Sequence, residues 1–424
     1  MFESLINQIF PKTTKQNNPT QKIFITLFIL FLFRFGNTIP LSGIDQDALK
    51  NSFSQLENRN AIMQIINMYA GGGGTTLLSP FSLGIIPFIN ASILIDLLTA
   101  LLPNLEKLQS EEGEVGRRKL TFYKKVLTFI FSIIQSGFLL FYLKAYCYST
   151  ELTSFLLIGL ELVTGSMLIV WLSNIIDNKG IGNGTSIIIF TNIVVTLISK
   201  NLLTNQIVDN SFFLQIFFLL FLMILICISQ TARISIEVVS ARQLAFLENI
   251  EKTSLNQKQK NNLQLRENGL SIRLNQAGIF PIIIASNLLP FLAFFTNSLT
   301  GEWKLLNNIF YYFLIVGFNY FYTVVFWDPE KISEQLRKAS VSVVNITPGR
   351  ETISYLENVV RSTSIIGGLS LCVILFLYDF FKQIFNGYLL NQINISSLII
   401  LVGVAYEIQK TIRSLYKNIL ETTI

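Results

Sequence analysis

The chain has 424 residues, of which 51% are hydrophobic and 14% are charged, and its formal net charge is +6. It contains no histidine, so histidine-ligated haem or zinc and histidine-based catalytic triads are excluded. Its three cysteines are isolated, without CxxC spacing, and no P-loop motif occurs. We therefore expect no structural disulfide, no metal, no cofactor and no ATP hydrolysis by this chain.

Apolar segments of membrane-spanning length recur along the whole chain. A bilayer core of about 30 Å needs roughly 20 apolar residues in a helix, and segments in lipid must satisfy their own backbone hydrogen bonds. The length and unbroken hydrophobicity of these segments exclude the alternating pattern of a β-barrel. The sequence therefore predicts an all-α membrane protein with ten transmembrane helices. The predicted spans are residues 22–38, 77–101, 124–146, 152–176, 185–203, 211–232, 272–296, 306–327, 353–378 and 392–412.

The connection between the first two spans ends in four consecutive glycines, residues 71–74. Glycine permits backbone angles that other residues avoid and loses more entropy on ordering, so this run predicts a part that moves, with a loosely built loop as the alternative. The second span carries Asn90 and Asp96, which lipid does not require. Ile85 and Ile89 are four apart and share a helix face, although a lipid-facing stripe would show the same spacing.

Two connections between the later spans, at 233–272 and 328–352, are long and basic. Structureless connections of this length are uncommon unless they are functional, so both predict docking surfaces for a partner. A solvated, disordered linker is the alternative, and it is the preferred interpretation for the Asn/Gln/Lys-rich piece 255–264.

The basic residues orient the chain. With both termini on one side of the membrane, that side holds 24 Lys and Arg residues and the opposite side holds six. The positive-inside rule then places both termini in the cytosol or its organellar equivalent. This topology and anionic lipid account for the basic balance, which is therefore no argument for nucleic acid on its own.

Few ionisable residues lie within the predicted spans. The main acids are Asp96, Glu161 and Glu407. Three acids are few for a proton relay, although any acid within the membrane is a functional candidate by default. An ion-coupled small-molecule secondary transporter with broken helices is therefore the alternative function.

Six segments, in order along the chain, carry a family resemblance: RFGNTIPLSGID at 34–45, GGGGTTLLSPFSLGIIPFINASILIDLL at 71–98, EEGEVGRRKLTFYKK at 111–125, GIGNGTSIIIF at 180–190, RLNQAGIFPIIIAS at 273–286 and FYTVVFWDPEKISEQLRKA at 321–339. They resemble the SecY family, whose members form the channel of the general protein-secretion translocase. The resemblance extends from about Arg34 to Glu407 and implies two five-helix halves, residues 1–203 and 204–424. These halves are related by an inverted pseudo-repeat and surround an hourglass pore that opens sideways into lipid between spans 2 and 7.

Carried over position by position, the resemblance implies three groups of channel residues. The pore ring comprises Ile85, Ile89, Ile189, Ile283 and Ile400, with Thr185 where a sixth apolar residue is common. The lateral gate comprises Asn90, Asp96, Gln135, Ser286 and Asn287. The plug is residues 61–70, including Ile65, Ile66 and Asn67, and its hinge comprises Gly71, Gly72, Gly73 and Gly74.

The resemblance also implies that the two long loops dock the motor ATPase SecA or a translating ribosome. Arg242 occupies a basic position of the family in the first loop, and Arg350 is the candidate in the second. The second loop departs from the family pattern, because Thr347 precedes Pro-Gly where an arginine is usual. Either Arg350 substitutes for the missing charge or coupling to the motor is altered.

The function implied by the resemblance is that of a passive conduit and not an enzyme. It would bind signal-sequence-bearing unfolded polypeptides and release hydrophobic segments into membrane lipid, together with a SecE-like subunit and an optional SecG-like subunit. An insertase without a through-pore would lack the plug, the hinge and the ring. Heavy use of Ile, Asn, Phe and Lys with little Ala resembles plastid-encoded members and favours the thylakoid membrane, with a bacterial inner membrane as the alternative.

Overall fold

The structure is a computed structural model, and it describes ten stretches of the chain. They are residues 19–48, 78–110, 112–149, 151–202, 210–240, 269–278, 280–285, 303–344, 346–385 and 395–422.

Helices make up most of these stretches, because long apolar runs without central prolines favour helix and satisfy their backbone groups internally. Two short 3-10 turns, Pro80–Leu83 and Lys144–Tyr146, and a helical segment at 280–285 accompany them. The α-helices are α1 Pro19–Asn37, α2 Ile86–Leu101, α3 Pro103–Ser110, α4 Gly113–Leu143, α5 Leu152–Lys179, α6 Gly184–Leu202, α7 Asn210–Thr231, α8 Trp303–Phe326, α9 Pro329–Lys338, α10 Arg350–Phe385 and α11 Ile395–Thr422.

The predicted membrane class is confirmed. Within the described stretches, 8 helical segments are long and apolar enough to cross a membrane, and they correspond to the first four, the sixth and the last three predicted spans. The fifth predicted span corresponds to α6, whose apolar part Gly184–Val195 is shorter. The start of the seventh, 272–296, is wrong, because residues 272 and 273 end a β-strand and 274–278 form a loop, whereas 280–285 is helical. Residues 279 and 286–296 lie outside the described residues.

The chain divides into two compact units. The first comprises Met1–Ile95, Arg118–Gln206 and Val404–Ile424, and the second comprises Asp96–Arg117 and Ile207–Gly403. The pseudo-repeat halves 1–203 and 204–424 remain a prediction.

The first unit is built around α5, which packs against α1, α6 and the turn Pro80–Leu83. The buried residues of α5 include Leu162, Ile169 and Ile176, each completely or almost completely shielded. Gly165 on the same helix lets the turn approach closely, since a side chain there would overlap the Pro80 carbonyl. The second span therefore begins on a surface that α5 provides.

The second unit is built around α10, which packs against α7, α8 and α9. A Cβ added at Gly368 would lie 3.2 Å from Val316 Cα, so a small residue lets α8 and α10 approach. A buried hydrogen bond from Asn319 Nδ2 to the Ser364 carbonyl, 2.6 Å, ties the same two helices together.

The two long connections share a three-stranded antiparallel sheet, which differs from the docking loops and linker expected there from the sequence. The strands β1 Arg233–Ser240, β2 Gly269–Arg273 and β3 Val341–Val343 lie in the order β2-β1-β3. Ile236 pairs with Leu270, and Val238 pairs with Val343. One face of the sheet packs on the start of α10 in an apolar cluster whose buried members are Ile236, Ile272, Val343 and Leu356. The linker candidate 255–264 lies outside the described residues.

Candidate functional site

The second span begins with a capped turn that positions Ile85. Ser79 and Ser82 form a capping box, in which each side chain accepts a hydrogen bond from a backbone N–H of the turn. Gly84 then ends the turn with a φ of 59°, a conformation that glycine adopts without strain. Ile85 lies where the turn Pro80–Leu83 passes into α2, and it is 3% exposed.

The same turn packs against α1 and α5. The Phe81 ring stacks on Phe33 of α1, with ring centroids 6.0 Å apart. A side chain at Gly36 would overlap the Phe81 ring, as one at Gly165 would overlap the Pro80 carbonyl. Two glycines therefore permit the close packing that fixes the start of α2.

Residues that follow α1 form hydrogen bonds with Leu78, which lies just before the turn Pro80–Leu83. Gln46 Nε2 donates to the Leu78 carbonyl at 3.1 Å, and Gln46 Oε1 accepts from the Leu78 N–H at 3.0 Å. The Leu41 N–H donates to the same carbonyl at 2.7 Å. Ser42 donates to the Glu161 carboxylate on α5 from its N–H, at 3.2 Å, and from its hydroxyl. Glu161 thus anchors this loop, a role that its position as an intramembrane acid did not reveal.

The remaining predicted residues of the second span lie along α2. Ile89 is 6% exposed, and its N–H donates to the Ile85 carbonyl at 3.1 Å. Asn90 and Asp96 are both half-buried. The division between the two compact units falls between Ile95 and Asp96, so Asn90 belongs to the first unit and Asp96 to the second.

The ring residue of the fifth span follows the N-terminal cap of α6. Asn183 Oδ1 accepts from the Thr185 N–H at 3.0 Å and from the Thr185 hydroxyl at 2.5 Å. The Gly184 N–H donates to Asp177 Oδ1 at 2.7 Å. These bonds satisfy donors that the first turn of a helix leaves without intrahelical partners. Ile189 lies on α6 beyond this cap and is 8% exposed.

Two predicted ring residues belong to the second unit. Ile283 lies on the helical segment 280–285 and is 5% exposed, and Ile400 lies on α11 and is 1% exposed. Asn275 orders the loop before that segment, since its Nδ2 donates to the Gly278 carbonyl at 2.9 Å. Every predicted ring residue is thus buried.

Of the other residues predicted for the gate, the plug and the docking loops, only some lie within the described stretches. Gln135 lies on α4 and is half-buried. The predicted site residues that fall outside the described residues are Ser286, Asn287, Ile65, Ile66, Asn67, Gly71, Gly72, Gly73, Gly74 and Arg242.

Thr347 stabilises the start of α10. Its hydroxyl donates to Glu351 Oε2 at 2.6 Å, and its carbonyl accepts from the Thr352 hydroxyl at 2.8 Å. Arg350 begins α10 and is exposed. Thr347 therefore supplies a contact at the start of this helix, and compensation by Arg350 stays a prediction.

A group of charges joins α3 to α9. Lys331 Nζ lies 2.6 Å from Glu106 Oε1 and 3.2 Å from Asp328 Oδ2. Asp328 also caps α9, because its Oδ1 accepts from the Glu330 N–H at 3.0 Å. No local sequence pattern relates Glu106 to Lys331, so sequence reasoning missed this contact.

The 8 apolar helical segments of membrane-spanning length in the described stretches define a polytopic α-helical membrane protein. The SecY family model matches residues 79–409. The chain belongs to the SecY family. The protein translocase subunit SecY of the alga Pyropia yezoensis is 36% identical, with 95% of this chain and 97% of that protein covered.

Solved structures share the fold. One is described as the structure of a protein conducting channel, and it matches with a TM-score of 0.59 and 13% identity over 96% of this chain and 95% of that chain. Sec61 in the canine ribosome-channel complex from the endoplasmic reticulum matches with a TM-score of 0.55 and 14% identity, over 96% of this chain and 95% of its own. The fold that these structures share with this protein therefore extends over nearly the whole chain.

Proposed function

We propose that this chain is the channel-forming subunit of a protein translocase and passes unfolded polypeptides across a membrane. The observation that carries the proposal is membership of the SecY family over residues 79–409, joined to a channel fold over 96% of the chain. The relatives favour this function over that of a small-molecule transporter, since the translocase subunit of Pyropia yezoensis aligns with 95% of the chain.

The proposed constriction is a ring of isoleucines. Branched apolar side chains are poorly wetted, so such a ring blocks ions when empty and deforms around a passing chain. Ile85, Ile89, Ile189, Ile283 and Ile400 are each 1% to 8% exposed, so none of these proposed ring residues is open to water. The Thr185 hydroxyl donates a hydrogen bond to Asn183 Oδ1, so threonine at this position makes the proposed ring only slightly more polar.

The proposed lateral gate lies between the second and seventh spans. Polar contacts between membrane helices contribute roughly 0.6 to 2 kcal/mol each, so a few of them can be displaced by a hydrophobic signal sequence. Asn90 and Asp96 on α2, the proposed gate residues of the second span, are half-buried. Gate opening is then a shift in population between two states, which the signal sequence biases by preferring the open one.

Energy for movement comes from a partner, and the chain itself acts as a passive conduit without a catalytic step. We propose a SecE-like subunit, an optional SecG-like subunit, and docking of SecA or a ribosome on the long loops. The Sec61 structure that shares this fold is described in a ribosome-channel complex, which supports the ribosome as one such partner.

We place the protein in the thylakoid membrane with both termini on the stromal side, and a bacterial inner membrane is the alternative. The algal relative and the composition support the plastid. The excess of 24 over six basic residues supports the orientation.

Site-specific crosslinking to an arrested precursor tests the proposed function. A photo-crosslinking amino acid replaces Ile85 or Ile283 in the chain, which is reconstituted with the SecE-like subunit and SecA while a secretory precursor is held midway. We expect adducts from both positions. Leu160 on α5, which is 62% exposed on the outside of the helix, is the matched control and should give none.

The three outcomes have different meanings. Adducts at both ring positions and none at Leu160 support a conduit lined by the ring. Translocation without adducts at Ile85 and Ile283 would refute the ring but not the channel. A complete failure of precursors to engage the reconstituted complex would count against the channel and favour a transporter.

A further inference from the structure

The end of the second span continues directly into a short charged helix. α2 ends at Leu101 and α3 begins at Pro103, and backbone hydrogen bonds continue across the junction from the Leu102 N–H to the Leu98 carbonyl at 2.9 Å and from the Glu106 N–H to the Leu102 carbonyl at 3.0 Å. A displacement of Glu106 is therefore passed to the end of α2.

Glu106 forms an ion pair with Lys331 of α9, and several contacts hold α9 in place. Pro329 and the Asp328 cap fix the start of α9. The apolar side of α9, with Ile332 and Leu336, packs into the cluster that also contains Val343 of β3. We call the sheet β1–β3, α9 and residues 350–360 of α10 the platform. It is the described part of the surface proposed above to dock the motor or the ribosome.

We propose that Lys331 and Glu106 are positioning residues that couple the platform to the second span. This inference rests on the proposed function. Lys331 sits between the Asp328 carboxylate of its own helix and the Glu106 carboxylate of α3, at 3.2 and 2.6 Å. Movement of the platform thereby pulls on the end of α2, which carries the gate residue Asp96.

The exposure of the pair suits a contact that must break and re-form. The side chains of Lys331 and Glu106 are 47% and 36% exposed, so water screens them in part. Exposed pairs of this kind change a two-state equilibrium by roughly two- to five-fold, which biases a gate without locking it.

A second ion pair on the same helix provides a matched control. Lys338 Nζ lies 3.1 Å from Glu334 Oε1, one turn away on α9, so this pair does not leave the helix. Reversal of either charge alters α9 locally but removes no contact with α3.

The test measures the separation of α3 and α9 by spin labels at Lys107→Cys and Gln335→Cys in a full-length, otherwise cysteine-free chain within its reconstituted complex. We expect a narrow distance distribution with the native pair and with Lys331→Arg. Lys331→Glu and Glu106→Lys should each broaden this distance distribution. The double variant that carries both reversals restores an ion pair and should narrow the distribution again. Glu334→Lys should leave the distribution unchanged.

The rate of motor-driven translocation is measured on the same variants at saturating motor. Each single reversal should lower the rate two- to five-fold, and the double variant should restore it. The coupling is overturned if the single charge reversals leave the distance distribution between α3 and α9 unchanged. It is also overturned if the double variant Lys331→Glu, Glu106→Lys fails to restore both the distance distribution and the translocation rate. If the native chain translocates nothing but its distances respond as expected, the helix contact stands while the proposed function and the coupling based on it fail.

Discussion

Gln46 satisfies both backbone polar groups of Leu78 with one side chain. Leu78 is 4% exposed, so water offers little replacement for these bonds. A buried backbone group without a partner destabilises the folded state, which makes this amide more important than its half-buried position suggests. The contact fixes the place where the chain enters the turn before Ile85.

We expect Gln46→Ala to lower the free energy of unfolding by about 1–3 kcal/mol, because the buried Leu78 N–H loses its partner and the Leu78 carbonyl keeps only the bond from the Leu41 N–H. The measurement is the Tm of the purified complex in detergent. Gln409→Ala is the control, since Gln409 on α11 is exposed. Equal Tm values for the two variants would mean that the Leu78 contact contributes nothing.

A second prediction concerns Gly165, whose hydrogen faces the Pro80 carbonyl. Gly165→Ala should destabilise the first unit by about 1–3 kcal/mol, because the added methyl group forces α5 away from the turn. Gly137→Ala on α4 has no heavy atom within 4 Å of the new carbon and should be neutral or stabilising by up to about 1 kcal/mol. Thermal unfolding of both variants checks this difference, and a Gly165→Ala protein as stable as the native one would contradict it.

Single residues also show where sequence reasoning stops. The spacing of Ile85 and Ile89 fits a lipid-facing stripe as well as a pore, so only the family resemblance could nominate them. Ser42 and Glu161 are 119 residues apart, and no local pattern relates them. The capping box of Ser79 and Ser82, in contrast, is a local signal that the sequence itself carries.

At the scale of elements, helices were predictable and the sheet was missed. A membrane helix depends on the hydropathy of its own residues, which is why the spans were found without knowledge of the fold. The sheet depends on pairing between β1 and β3, which are far apart in the chain. The segment RISIEVVS does alternate in the two-residue period of a strand, so a signal was present, although its partners could not be identified from it.

The sheet gives an element-scale prediction. Ile236→Asp should unfold the platform, because it places a charge in a cluster where Ile236 is 4% exposed, and the cost should exceed about 3 kcal/mol. Ser235→Asp is the matched control, since the neighbouring side chain is exposed on the other face. Limited trypsin digestion should cleave the Ile236→Asp protein at Arg233 or Arg273 while circular dichroism still reports intact spans. Similar resistance in both variants would show that the cluster does not hold the sheet together.

At the scale of the whole molecule, the distribution of charge should determine topology. The 24 basic residues assigned to one side include those of both long loops and both termini. Cytoplasmic or stromal loops retain Lys and Arg because their translocation is disfavoured, so the bias acts on every span at once. The segment between α4 and α5 should consequently lie on the translocated side, and α9 on the side of the termini.

Single cysteines at Tyr148 and Gln335 test this arrangement in a chain whose native cysteines are replaced. Tyr148 is 73% exposed between α4 and α5, and Gln335 is exposed on α9. In sealed vesicles, a membrane-impermeant maleimide added from the translocated side should label Tyr148→Cys alone, and from the other side Gln335→Cys alone. Labelling of both from one side would reverse the orientation of part of the chain. Labelling of Gln335→Cys from the translocated side would put the platform and the proposed motor in different compartments, so the same experiment decides whether the docking proposal is geometrically allowed.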